Sequence, residues 1–242
     1  MHLIVEITNS CPAKCSFCVV KKERKEKSSI ELPMFRRILD LFEPDKITIS
    51  GGEPSTVNDL EKYVNMAKAY GSVTVVTNCF NPVKVLESNA DFIQVSLDAY
   101  GKKHDEIRGI DGLWERAVFV LKNAKNSFIR FTLMDSNIDD LRRIKEEFPE
   151  KRILVMPEFY SDVSSTVLRI VKEEKLGILP TNCPMGKQIV ITAELDILPC
   201  PLYRLRLGNL LEDPHRAFER LEKLRPYPCG KRYHVVATTH EK

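Results

Sequence analysis

Over the first two thirds of the chain, short runs of β-branched and other apolar residues alternate with longer stretches whose apolar positions recur every three or four residues. Leu3–Thr8, Lys46–Ser50, Val73–Thr77, Phe92–Leu97, Ile129–Leu133 and Ile153–Met156 read as strands, continuous in apolar character as strands covered on both faces should be. Between them Leu32–Phe42, Asp59–Ala69, Val83–Ser88, Leu113–Lys122 and Ile138–Phe148 carry helical spacing, with Asn58 and Asn137 as N-terminal caps. This alternation predicts parallel strands joined by crossover helices. Six units cannot fill an eight-unit barrel, which leaves an open three-quarter barrel or a doubly wound sheet; either puts active-site groups at the C-terminal strand ends. The preferred reading is an α/β fold, a partial (β/α)6 TIM-type barrel.

After about Pro180 the pattern changes. Cys183, a hairpin through Ile189–Thr192 and Ile197–Leu198, Cys200 and a helix from about Pro214 to Leu224 predict a small hairpin-plus-helix, cysteine-bearing extension. The chain then divides into residues 1–180 and 181–242. A length of 242 residues, 43% of them hydrophobic, suits one sizeable core with at most a small appendage.

Charge and thiol content narrow the chemistry. A formal net charge of +3 is too balanced to carry nucleic-acid binding on electrostatics alone. No stretch approaches the roughly 18 apolar residues of a membrane span, and no long apolar signal core follows Met1, so a cytoplasmic protein is expected. Seven cysteines in such a compartment argue for metal ligation with one spare thiol rather than for disulfides.

Cysteine spacing is therefore the main clue. Cys11, Cys15 and Cys18 follow the first strand at once, within one short loop. A closed structural zinc site takes four N or S ligands, whereas a [4Fe–4S] cluster held by three cysteines keeps one iron open to a further ligand. Ser50-Gly51-Gly52-Glu53-Pro54 ends the second strand, where glycines let backbone approach a ligand and a carboxylate can pair with an ammonium group. The third strand ends in Val76-Thr77-Asn78-Cys79, and the fourth in Ser96-Leu97-Asp98-Ala99, followed by His104-Asp105 and Arg108-Gly109. Singly, a zinc knuckle or an ordinary strand-to-helix turn would explain each motif. Their succession at consecutive strand ends points to one site.

The set resembles the radical S-adenosylmethionine superfamily. The resemblance rests on three cysteines spaced by three and then two residues with the aromatic Phe17 before the last, on Gly-Gly-Glu-Pro, and on a Ser-Leu-Asp, His-Asp, Arg-Gly run similar to that of the peptide-modifying branch, with Ala99 in place of the usual glycine. It implies a [4Fe–4S] cluster on Cys11, Cys15 and Cys18 that binds S-adenosylmethionine and cleaves it reductively to a 5′-deoxyadenosyl radical, which abstracts a substrate hydrogen. It further implies a cofactor site made of Phe17, Gly51, Gly52, Glu53, Thr77, Asn78, Ser96, Asp98 and Arg108. Glu53 and the Gly51/Gly52 backbone would take the amino group, Ser96 and Arg108 the carboxylate with Asp98 in support, and Thr77 and Asn78 would face the cofactor. A surface salt bridge is the equal alternative for Arg108. Cys79 stands where relatives commonly carry glycine and reads as a small buried residue. Arg130, Glu158 and Tyr160 fall where a barrel mouth makes substrate or adenosine contacts, although surface charge and rim packing account for them too.

Cys183, Cys200 and Cys229, with Pro199-Cys200-Pro201 ahead of Leu207-Gly208-Asn209-Leu210, resemble the auxiliary-cluster extension called SPASM or its shorter form, twitch. The resemblance implies a second [4Fe–4S] cluster on those three cysteines, assisting oxidation of the product. Arg232 occupies the position of a fourth cysteine, which leaves an open iron for substrate, ligation by His234, or a structural role for the thiols. Relatives with such tails modify peptides or proteins, or act as dehydrogenases and cyclases of small metabolites. Peptide modification is the expectation and small-metabolite chemistry the alternative, with a low-potential electron donor such as ferredoxin or flavodoxin as partner and neither membrane nor nucleic acid. The rivals are a non-catalytic zinc-binding module and an activase that plants a radical on a large partner enzyme.

Overall fold

The computed structural model describes residues 1–23, 27–159, 161–180, 187–212 and 214–224. Nine strands form one sheet: β1 (His2–Thr8), β2 (Lys46–Gly51), β3 (Ser72–Thr77), β4 (Phe92–Ser96), β5 (Ser127–Leu133), β6 (Ile153–Pro157), β7 (Gln188–Ile191), β8 (Asp196–Leu198) and β9 (Gly208–Asn209). The helices are α1 (Val19–Glu23), α2 (Leu32–Phe42), α3 (Leu60–Lys68), α4 (Pro82–Glu87), α5 (Lys102–Arg108), α6 (Leu113–Asn123), α7 (Ile138–Glu147), α8 (Ser165–Glu173) and α9 (Pro214–Lys223). None of them is long and apolar enough to cross a membrane.

The strand order is β6-β5-β4-β3-β2-β1-β7-β8-β9. From β1 to β6 each strand pairs in parallel with the next. A doubly wound sheet would reverse its order at a switch point, and this one does not. The sheet stays open, so the expected partial barrel is the architecture. All six expected barrel strands and the five helices expected between them are present, with ends displaced by a residue or two, as are the hairpin and the helix expected after Pro180. Helices α1 and α5 escape the sequence pattern because Val19–Glu23 and Lys102–Arg108 hold no apolar pair three or four residues apart. Helix α8 also went unforeseen, although Ser164 caps it by accepting the Val167 N–H.

Three expectations need correction. Asp59, not Asn58, occupies the cap position of α3. Asn137 does stand at the cap of α7, but its side chain is used elsewhere: Oδ1 accepts the Met134 N–H, and Nδ2 donates to the carbonyls of Asp98 and Thr132, each at 2.9 Å. Lastly, β2 to β6 are not covered equally on both faces. Residues such as Ile47, Ile49, Val73, Val75, Ile129 and Phe131 are buried, while the alternate Thr48, Ser50, Thr74, Ser96, Arg130 and Thr132 are only half-buried. An open barrel has a helix-covered outer face and a lumen that is partly accessible, so the second face can be polar.

Strand β1 differs, being buried along almost its whole length. Its other edge carries β7 in parallel, from His2↔Gln188 to Val5↔Ile191, and β7, β8 and β9 follow antiparallel. Ile189, Ile191, Ile197, Leu207 and Ala217 share one apolar cluster with Leu3, Val5, Ile7 and Phe35. The segment after residue 187 thus extends the barrel sheet. A buried ion pair reinforces the junction: Arg204 donates to both carboxylate oxygens of Glu6, at 2.7 and 3.0 Å.

Candidate active site

A cavity of about 170 Å³ lies at the C-terminal ends of the parallel strands. The loop after β1 lines it with Cys11, Cys15, Phe17 and Cys18; β2 and its turn with Gly51, Gly52 and Glu53; β3 with Thr77 and Asn78; β4 with Ser96; α5 with Arg108; β5 with Arg130. Every cofactor residue expected from the sequence lines this wall except Asp98, which sits behind Arg108. Glu158 does not line it, and its carboxylate accepts the Ser161 hydroxyl at 2.5 Å. Cys79 is fully buried in the core. Tyr160, Cys183, Cys229 and His234 lie outside the described residues.

Backbone contacts hold the cysteine loop in place. The amides of Gly52 and Glu53 donate to the carbonyls of Thr8 and Ser10, at 2.7 and 2.9 Å, and Lys14 N–H donates to Arg108 O at 2.8 Å. A Cβ on Gly51 would lie 2.0 Å from Thr8 O, and one on Gly52 2.2 Å from Ser10 O. The glycines therefore answer to the close approach of two backbones, a constraint the sequence reading assigned to a ligand instead.

Glu53 is the hub of the β2–β3 corner. Its Oε1 accepts from Thr77 Oγ1 at 2.6 Å and Ser55 N–H at 2.9 Å, and its Oε2 from Asn78 N–H at 2.7 Å. Burial pushes this carboxyl up, against those three donors. Oε1 is filled, and Oε2 retains room for one further donor.

Asp98 and Arg108 form a second buried unit. Arg108 Nε donates to Asp98 Oδ2 at 2.8 Å and Nη2 donates to the same oxygen, while Thr132 N–H donates to Oδ1 at 2.9 Å. Burial alone would raise the Asp98 carboxyl, but Arg108, His104 and the Thr132 N–H together outweigh it and the net shift is downward. The Arg108 ion pair is thus internal, not at the surface. His104 packs behind it, with Nδ1 accepting the Asp98 N–H at 3.2 Å and Nε2 without a hydrogen-bond partner among the described residues.

Gly109, the last residue of the Arg-Gly motif, ends α5 in the left-handed conformation at φ +67, and its N–H donates to Asp105 O at 2.6 Å. A Cβ there would meet the Lys14 Cβ at 3.2 Å. Gly109→Ala is expected to cost about 1–2 kcal/mol through left-handed strain, read as a lowered urea midpoint. An unchanged midpoint would show that the α5 end does not hold this conformation.

The thiols suit metal ligation. Cys11, Cys15, Cys18, Cys79 and Cys200 are all free of disulfides. Burial pushes Cys11 up to about 11 and raises Cys15, so a metal rather than solvent would draw off their protons. Asn78 Nδ2 donates to Cys11 Sγ at 3.6 Å and Lys21 N–H to Cys18 Sγ at 3.4 Å, contacts that stabilise thiolate sulfur. Among the described residues no three cysteine, histidine or acidic side chains converge on a single-ion site. Three thiols of one loop lining the same cavity fit a multi-iron cluster, whose ligands bind different irons.

Sequence reasoning missed Glu6, Asn9, Pro201 and Leu202, which also line the cavity. Glu6 left a signal, a lone charge inside an apolar strand; its partner Arg204, 198 residues away, left none. Cys200 is buried against Leu202, Tyr203 and Leu221, immediately before the lining residue Pro201.

The family model of the Radical SAM superfamily matches residues 5–163. Sporulation killing factor maturation protein SkfB of Bacillus subtilis (strain 168) is 24% identical over 156 residues, 59% of this chain and 38% of SkfB. Fe-coproporphyrin III synthase of Methanosarcina barkeri (strain Fusaro / DSM 804) is 25% identical over 165 residues, 62% of this chain and 41% of the synthase. The matches span about two fifths of the length of these relatives. A solved structure, native anSMEcpe with bound AdoMet and Cp18Cys peptide, superposes with a TM-score of 0.68 at 15% identity, covering 97% of this chain and 81% of that one. At that identity the likeness establishes the fold.

Proposed function

The chain belongs to the radical SAM superfamily, and from that premise we propose that it cleaves S-adenosylmethionine reductively at a cluster held by Cys11, Cys15 and Cys18, in order to modify a peptide or protein. The observation that carries this reading is the shared cavity, lined together by three thiols, Glu53, Ser96 and two guanidiniums. When bound, the cluster supplies the electron that breaks the sulfur–carbon bond of the cofactor.

The chain's own residues bind and orient. Glu53 is pinned by three donors and offers Oε2 to the cofactor amino group. Ser96 and Arg130, register partners across β4 and β5, are suited to its carboxylate, with Arg108 committed in part to Asp98. Phe17 and the apolar lining residues Met156, Pro157 and Phe159 shield the site from water.

A peptide substrate draws support from the maturation role in the name of SkfB and from the peptide in the anSMEcpe structure. The match to Fe-coproporphyrin III synthase favours a second reading, oxidation of a small metabolite or cofactor precursor. In either case residues 181–242 form the extension, and Cys200 beside the cavity supports an auxiliary cluster completed by Cys183 and Cys229. A low-potential ferredoxin or flavodoxin completes the system.

The test is anaerobic incubation of the reconstituted protein with S-adenosylmethionine and dithionite. A brown protein that releases 5′-deoxyadenosine and methionine is expected. A colourless protein that retains stoichiometric zinc and releases neither would refute the proposal. Transfer of deuterium from a labelled precursor peptide into 5′-deoxyadenosine would separate the peptide reading from the small-molecule one.

A further inference from the structure

Asn78 is fixed by two hydrogen bonds, and the fixing aims its side chain. Its backbone N–H donates to Glu53 Oε2 at 2.7 Å, and its Oδ1 accepts the Phe80 N–H at 2.9 Å. That turn depends on Cys79, which stands between the two in the left-handed conformation at φ 65. With Oδ1 committed to Phe80, the amide cannot be flipped without losing the bond. Nδ2 is thereby directed at Cys11, 3.6 Å from its sulfur. The Asn78 end of the contact is buried, and the Cys11 end is half-buried at the cavity wall. Its side chain is directed to a thiol of the cysteine loop, a task the sequence did not suggest, beside its place in the cavity lining.

Hydrogen bonds to ligand sulfurs are one of the levers that set the potential of an iron–sulfur centre, because a donor stabilises the more negative, reduced form. We propose that Asn78 is a positioning residue for electron entry: by donating Nδ2–H to Cys11 Sγ it raises the reduction potential of the cluster on the Cys11–Cys18 loop. The inference rests on the reading of Cys11, Cys15 and Cys18 as cluster ligands. It goes beyond that reading by giving one second-sphere side chain a defined electronic effect. The Lys21 N–H to Cys18 Sγ bond acts in the same sense, but it is main chain, and only proline, which would also disturb α1, removes it.

The experiment is a redox titration of the reconstituted full chain, monitored by electron paramagnetic resonance without S-adenosylmethionine, after iron and sulfide per chain have been measured. Asn78→Ser is the deciding variant. Its hydroxyl can still accept the Phe80 N–H as a serine turn, but it is too short to reach Cys11, and it adds no charge. Asn78→Ala removes both contacts. The expected result is wild-type iron content in Asn78→Ser with the midpoint moved to more negative potential, so that several-fold less cluster is reduced at a fixed solution potential. A tenfold loss would correspond to about 59 mV for a one-electron couple. Asn78→Ala is expected to shift in the same direction wherever it retains iron. An unchanged midpoint in Asn78→Ser overturns the inference, and so does loss of iron from that variant, which would make Asn78 a scaffold for the loop. A wild type that binds no reducible cluster fails at an earlier step, refuting the ligand assignment and the inference with it.

Discussion

Replacing Cys11, Cys15 and Cys18 together by alanine is expected to abolish 5′-deoxyadenosine formation and to remove the iron bound at the loop, while leaving the fold intact. The fold should survive because the loop is held by main-chain bonds, Lys14 N–H to Arg108 O and Glu53 N–H to Ser10 O, and by the packing of Gly51 and Gly52 on the Thr8–Ser10 backbone, none of which involves a thiol. No other described cysteine can replace the three. Cys79 is sealed in the core, and Cys200 packs against the tail. The measurement is iron and labile sulfide per chain after anaerobic reconstitution, beside circular dichroism of both proteins. If the variant retains about half the wild-type iron, the tail holds a second cluster and its cysteines become candidates for oxidative chemistry. If it retains none, the tail thiols are structural. Iron content and cofactor cleavage both equal to wild type would sink the ligand assignment.

The periodicity of the sequence reached as far as periodicity can. Six parallel strands and their crossover helices were legible because each is a run long enough to show its period, as in Leu32–Phe42, where the structure repeats the expected limits. The pairing of β7 with β1 was not legible, since four apolar residues, Gln188–Ile191, say nothing about which edge they join. The site was legible as a set of motifs, and their convergence on one cavity follows from their places at successive strand ends. The roles inside the motifs were less so. Gly51 and Gly52 serve a backbone crossing, and Asn78 points to a sulfur, because a side chain's partner is chosen by three-dimensional neighbours that no local spacing encodes. Arg108 shows the limit most clearly. Only the short helix α5 returns it to Asp98, ten residues back at the end of β4, and that helix left no periodic trace.

That ion pair carries the largest expected effect on stability. Asp98→Asn keeps the side-chain shape and an oxygen for the Thr132 N–H, but leaves the buried guanidinium of Arg108 without its counter-charge. Removing one partner of a buried pair costs about 3–5 kcal/mol, a large share of the roughly 5–15 kcal/mol that holds a domain together. The urea midpoint at pH 7 should fall accordingly, and Asp98→Asn combined with Arg108→Met should recover part of the loss, because it removes the stranded charge. The pH profile adds a second check. Although burial opposes it, Arg108 draws the Asp98 carboxyl below its ordinary value, so the pair's contribution is complete above the usual carboxylate range and fades as pH falls below about 4. His104 acts higher on the scale. Burial, aided by Arg108, lowers it from 6.5 to about 4. Between those values the unfolded chain gains a proton that the folded one refuses, and stability declines as the pH drops through that window. Wild-type stability should therefore fall in two stages on acidification, the second of which Asp98→Asn lacks. A variant as stable as wild type at pH 7 would mean that Arg108 finds another counter-charge in the cavity, and that Asp98 does not hold α5 against the cysteine loop.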